Sequence, residues 1–204
     1  MLPWKKILKG FKWAAISLVG LIVIGTIIRI PHVLEVQKTA EQVAKIHATK
    51  LTLADVMGDN LPPDPGAEAD KTVAGIDANT NGIRDDVELA IFKEYPDSAR
   101  TRAVLLQYAL ALQVQSVLVV LNKETTTANV EDNESRALSC LWSISSRSNM
   151  EEFIKETEKN EKFVKDLQFN TEERKNYTHN FYELVGSYSM SHGGCDVSLN
   201  SLSN

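Results

Sequence analysis

The chain has 204 residues, 43% of them hydrophobic and 24% charged, with 22 Lys+Arg against 27 Asp+Glu for a net charge of −5. That average conceals a division: residues 1–30 hold five basic residues and no acidic one, so residues 31–204 set 17 basic against 27 acidic, a net of −10. An acidic body lacks the clustered Lys/Arg that counterion release rewards, which argues against a nucleic-acid partner, and its size and Gly-poor composition fit one helical domain with a buried core.

Residues 1–12 are basic, with Lys5, Lys6, Lys9 and Lys12, and precede an uncharged run from Trp13 to Ile28. The run reads as a membrane segment over residues 13–30, short for a span of about 20 residues but extended by Trp13 at one interface and Arg29 at the other. It lacks the small-residue cleavage site of a secretory signal, so an uncleaved anchor is expected rather than a removed leader. Four lysines before it and one arginine after it predict a cytoplasmic N-terminus and an exported body. The localisation that follows is a bacterial-type inner membrane, crossed once, with the body on the periplasmic side and membrane lipid as the partner of residues 13–30.

Beyond Arg29 and Pro31 the spacing of Val36, Ala40, Val43, Ala44 and Ile46 predicts a stalk helix within 31–57. Residues 58–76 read as a linker, because Pro62, Pro63 and Pro65 each fix φ and lack a donor. The helical domain then occupies 77–204. Helices are expected over 84–95, from Asp97 or Ser98 to about Asn122, and over 134–147, 150–168 and 171–190, with a polar loop at 123–133 and a frayed end after Ser198. Residues 103–122 carry no charge. A second span is the alternative there, yet Gln107, Gln113, Gln115 and Ser116 favour a central bundle helix that supplies them with partners. In the last helix Tyr177, Phe181, Leu184, Val185 and Tyr188 form a core stripe. The fold class is therefore all-α: a transmembrane helix followed by an irregular helical bundle.

Residues 77–88 read Asp-Ala-Asn-Thr-Asn-Gly-Ile-Arg-Asp-Asp-Val-Glu, matching every constrained position of the calcium-loop pattern D-x-[DN]-x-[DN]-G-x5-E. Calcium takes six to eight hard oxygen ligands, which alternate short side chains aim at one point. Asp77, Asn79 and Asn81 supply three, Ile83 offers its carbonyl, Asp85 binds directly or through water, and Glu88 chelates with both oxygens. Gly82 permits the turn between them, and Asp86 falls outside the set, facing solvent or the helix dipole. The loop resembles an EF-hand, and more closely the single unpaired calcium loops of bacterial exported proteins. A Pro-rich segment stands where a paired hand has its incoming helix, and Arg84 holds the eighth position, where an aliphatic residue usually bridges to a second loop. The resemblance implies one Ca2+ with a structural role and no groove-opening sensor mechanism.

Cys140 and Cys195, an even pair in an exported body, predict a disulfide. A zinc or thiol site with His192 has too few ligands. No phosphate loop, nucleophile elbow or H-E-x-x-H is present, and Glu151, Glu152, Glu156 and Glu158 among lysines read as a solvated helix face, so no enzyme is expected. Two alternatives stand beside the calcium-stabilised anchored domain: a periplasmic interaction module (an inhibitor, immunity or envelope-assembly factor) with an acidic helical surface, and a two-span membrane component.

Overall fold

The computed structural model describes residues 4–190 and 193–203. His192 lies outside them. By its contacts the chain divides into two compact units, Met1–Glu41 and Gln42–Asn204.

Helix α1 (Trp4–Ala48) supplies the first unit and runs on into the second. Pro31 lies inside it rather than closing it, so the expected division between anchor and stalk is not a break in the backbone. A proline removes one hydrogen bond, here the one its own N–H would give to Ile27, and a helix already propagated on both sides keeps the rest. Trp13, Leu21, Ile27 and Ile28 leave 60–71% of their surface exposed. Among the described residues α1 alone is long and apolar enough to cross a membrane.

The second unit is all helical among its described residues. Leu53–Met57 forms the short α2, capped by Thr52 and closed by Gly58 at φ 77°. The Pro-rich stretch then turns through one 3-10 segment, Gly66–Asp70, and bends that lead to loop 77–88. Helix α3 (Asp85–Glu94) leaves the loop, and α4 (Ala99–Ser116) follows, started by the Ser98 hydroxyl accepting from the Thr101 N–H at 3.2 Å. Val104, Leu105, Leu106, Tyr108, Ala109 and Leu112 are wholly buried, so α4 is covered on every side, with α3, α6, α7 and α8 packed around it. Its amides find partners in the protein: Gln107 accepts from the Asp196 N–H (2.8 Å), Gln113 donates to the Ala74 carbonyl (2.6 Å), and Gln115 donates to the Tyr182 hydroxyl (3.1 Å). That is a core helix rather than a second span.

Four sequence expectations change here. Helix α4 stops at Ser116, short of Asn122, because the β-branched Val117, Val119 and Val120 favour extended backbone and Asn122 begins a new helix; Val119, 86% exposed, gives its N–H to the Gln42 side chain at 3.1 Å. Residues 123–133 are helix, not loop: α5 (Lys123–Ala128) passes into a π-helical turn, Asn129–Glu134. Several of their polar side chains are buried on backbone carbonyls, Thr125 on that of Val120 (2.8 Å), Asn129 on that of Ala111 (3.3 Å) and Asn133 on that of Ile46 (3.1 Å). Helix α6 (Ser135–Leu141) is shorter than 134–147, whereas α7 (Met150–Gln168) matches its expected bounds. Helix α8 (Glu172–Glu183) ends early, so Phe181 is buried and Leu184 and Tyr188 are exposed, and only part of the expected stripe enters the core.

Cys140 and Cys195 are joined, with Cα atoms 4.7 Å apart across 55 residues. The bridge seats a tail that sequence alone reads as frayed. Asp196 accepts from the Leu51 N–H (2.9 Å) and pairs with Arg136, and the Arg100 N–H donates to the Ser203 carbonyl (3.0 Å).

Candidate metal centre

Loop 77–88 is a tight turn that leads into α3. Thr80 (φ 58°) and Gly82 (φ 86°) adopt left-handed conformations that fold the chain back twice. The Asp85 N–H donates to the Ile76 carbonyl at 2.9 Å and closes the neck. Asp77 at the start accepts from the Asn81 N–H (3.1 Å) and the Gly82 N–H (2.9 Å), one on each oxygen. Asn81 accepts from the Ile83 N–H at 2.8 Å. These short-range bonds are why Asp and Asn suit the odd positions: each tightens the loop through its own side chain.

Glu88 lies one turn into α3 and is 1% exposed. Its two oxygens meet one amide each, Asn81 Nδ2 at Oε1 and Asn79 Nδ2 at Oε2, both at 3.0 Å. Asn79 Nδ2 also reaches the Asn60 carbonyl at 2.9 Å. Burial lifts the Glu88 carboxyl to about 7; the two amides oppose the rise, and the Asp55 and Asp85 charges add to it. Asp85 is fully buried and turned to the Ala78 N–H (3.0 and 3.2 Å), its pKa raised by burial against that hydrogen bond, with Asp77 and Asp86 reinforcing the rise.

The structure thus joins Asn79, Asn81 and Glu88 directly, links Asp77 to them through the backbone of residues 81 and 82, and directs Asp85 toward Ala78. The Ile83 side chain is buried in the core. Among the described residues no three His, Cys, Asp or Glu side chains are grouped closely enough to hold a metal ion. The atoms that meet Glu88 are the Asn79 and Asn81 amide nitrogens; turned over, the same two amides would present hard oxygens, the donor type that calcium takes.

Two residues that sequence reasoning left aside complete the site. Arg84 is fully buried; it pairs with Asp86 (2.5 and 2.9 Å) and donates to the Leu167 and Gln168 carbonyls at 2.7 and 3.1 Å, closing the C-terminus of α7. Asp86 therefore holds Arg84 rather than facing only solvent. Asn60, from the Pro-rich segment, is the other. A lone Arg at the eighth position of a calcium loop, where an aliphatic residue is usual, was the available signal for the first; for a backbone carbonyl there was none. In comparison with known proteins, no family model, no curated protein and no solved structure matches this chain.

Proposed function

We propose that this chain is a membrane-anchored, non-enzymatic helical protein whose exported body is held in shape by one calcium ion in loop 77–88. The observation that carries the reading is the setting of Glu88: a buried carboxylate whose two oxygens each face one neutral amide, from alternate positions of a loop built for calcium. A divalent cation would take over the role of those two N–H groups and leave Asn79 and Asn81 to offer their oxygens, with Asp77, the Ile83 carbonyl and Asp85 completing the set. Calcium there supplies charge neutralisation and ties the Pro-rich segment, the loop and α3 to one point. Helix α1 supports the anchor by its exposed apolar surface, and the positive residues 1–12 support a cytoplasmic N-terminus with the body in the periplasm.

The test uses the full-length chain in mild detergent, titrated with calcium by calorimetry and followed in parallel by melting temperature. Binding in the range of roughly 10⁻⁵ to 10⁻³ M, as in extracellular modules with few charged ligands, is expected, with loss of binding in Glu88→Gln. No heat and no rise in melting temperature at about 10 mM calcium, above that whole range, would refute it.

A further inference from the structure

Away from the loop, nine buried side-chain polar atoms have no hydrogen-bond partner among the described residues, and three of them lie around one side chain, Tyr182: Glu134 Oε2, Gln115 Oε1 and the Tyr108 hydroxyl. Gln115 and Tyr108 are wholly buried and Glu134 is 8% exposed. Their connection runs through Tyr182 in the last turn of α8, whose hydroxyl donates to Glu134 Oε1 at 2.7 Å and accepts from Gln115 Nε2 at 3.1 Å. Glu134 itself closes the π-helical turn Asn129–Glu134, a backbone irregularity frequent at functional positions.

The cluster is short of donors. Glu134 Oε2 and Gln115 Oε1 are both acceptors, the Tyr108 hydroxyl carries a single donor that bonds to neither, and each buried acceptor left unmet costs free energy. The charged groups facing Glu134 do not make up the deficit. From α7, Lys165 attracts and Glu161 repels it, but Lys165 is already paired with Glu161 at 3.2 Å. From α4 and α8 come only the hydroxyls of Tyr108, wholly buried, and of Tyr182, a residue 40% exposed whose hydroxyl faces inward onto Glu134 and Gln115; both are pushed further toward the neutral form. One proton on Glu134 changes the count: the carboxylic acid keeps Oε1 as acceptor for Tyr182 and gains an O–H that the orphaned acceptors lack.

We propose that Glu134 is a proton-binding latch: protonated, it ties the end of α8 to the π-helical turn and to α4; ionised, it buries a charge whose second oxygen meets no donor and loosens that corner of the bundle. The physical sense is a body that tightens as its compartment acidifies. Burial raises the Glu134 pKa, the Tyr182 hydrogen bond and Lys165 opposing and Glu161 adding, which agrees in direction.

The experiment compares full-length wild type with Glu134→Gln in mild detergent, without calcium, by near-ultraviolet circular dichroism melting between pH 5 and 8. The variant amide is neutral throughout and carries the same acceptor plus two donors. Wild type is expected to lose roughly 3–6 °C relative to Glu134→Gln as pH rises from 5 to 8, the gap narrowing toward the acid end. Glu88 and Asp85 titrate in both proteins, so the difference between the profiles isolates Glu134. An infrared carbonyl band of a protonated carboxylic acid, present in wild type at the acid end of the range, fading as pH rises and missing from Glu134→Gln, is the second readout. Parallel melting profiles, or a difference spectrum without that band, would overturn the proposal. Should Glu134→Gln fail to fold, Tyr182→Phe serves in its place: a steeper pH dependence than wild type supports the latch, and an unchanged one sinks it.

Discussion

The Arg84 guanidinium donates to the main-chain carbonyl of Gln168 at 3.1 Å, across 84 residues of chain. Where a paired EF-hand meets a second loop, this loop instead meets the C-terminus of α7. Removing the guanidinium leaves Asp86 unpaired and two carbonyls without donors. Arg84→Met is expected to cost about 3–5 kcal/mol in denaturant unfolding. Arg84→Lys should recover little, since one ammonium cannot reproduce the fork that serves Asp86, Leu167 and Gln168 together. A loss below about 1 kcal/mol in Arg84→Met would show that the contact is dispensable.

Gly75 tests the same contact from the other side. Its φ is 69°, and a Cβ there would collide with the Arg84 side chain. Gly66 also has positive φ (54°), yet nothing lies within 4 Å of a Cβ at that position. Gly75→Ala is therefore expected to destabilise by at least about 1 kcal/mol more than Gly66→Ala, whose cost is backbone strain alone. Equal melting temperatures for the two variants would contradict the packing.

A pH effect is expected at the Pro-rich segment. Asp70 accepts from Asn170 at 3.0 Å and from Arg174 at 2.6 Å, and these partners, Asn170 first, hold its pKa below the ordinary 3.8 despite some burial. A depressed acid contributes stability above its unfolded-state pKa and loses it as pH falls through the folded one. Wild type should thus exceed Asp70→Asn in melting temperature at pH 6, with the gap closing below about pH 4. A gap that persists at pH 2 would mean that the carboxylate charge is not what matters.

Reduction of Cys140–Cys195 frees the tail from Val197 onward and with it Asp196, which holds the Leu51 N–H and Arg136. A closed loop of 55 residues corresponds to about 4 kcal/mol in the chain-entropy model. The double variant Cys140→Ser, Cys195→Ser should melt some 8–16 °C lower than wild type, with proteolysis near residue 195 accelerated. Wild-type stability in the double variant would show that the tail is seated without the bridge.

Each part of the sequence spoke as clearly as its physics was local. The apolar run after Trp13, the Asn149-capped amphipathic α7, the uncharged α4 and the Asp/Asn spacing of loop 77–88 are all set by interactions within a few residues, so periodicity and composition carry them. Cysteine parity carried the disulfide. What the sequence misread were polar residues whose partners lie far along the chain. The stretch 123–133 looked like a loop because Thr125, Asn129 and Asn133 suit solvent as well as they suit a buried carbonyl, and only the arrival of Val120, Ala111 and Ile46 decides between the two. Arg84, Arg102 and Arg174 would each be assigned to the surface by type, yet tertiary packing buries them and turns them into clasps: Arg102 reaches the Val56 and Tyr95 carbonyls, and Arg174 those of Val73 and Thr72. Local sequence thus determined the all-helical class, the apolar run and the Asp/Asn spacing of loop 77–88, but not every helix or its bounds. The three-dimensional fold decided which polar groups leave water, because that choice depends on hydrogen-bond partners that only folding brings within reach.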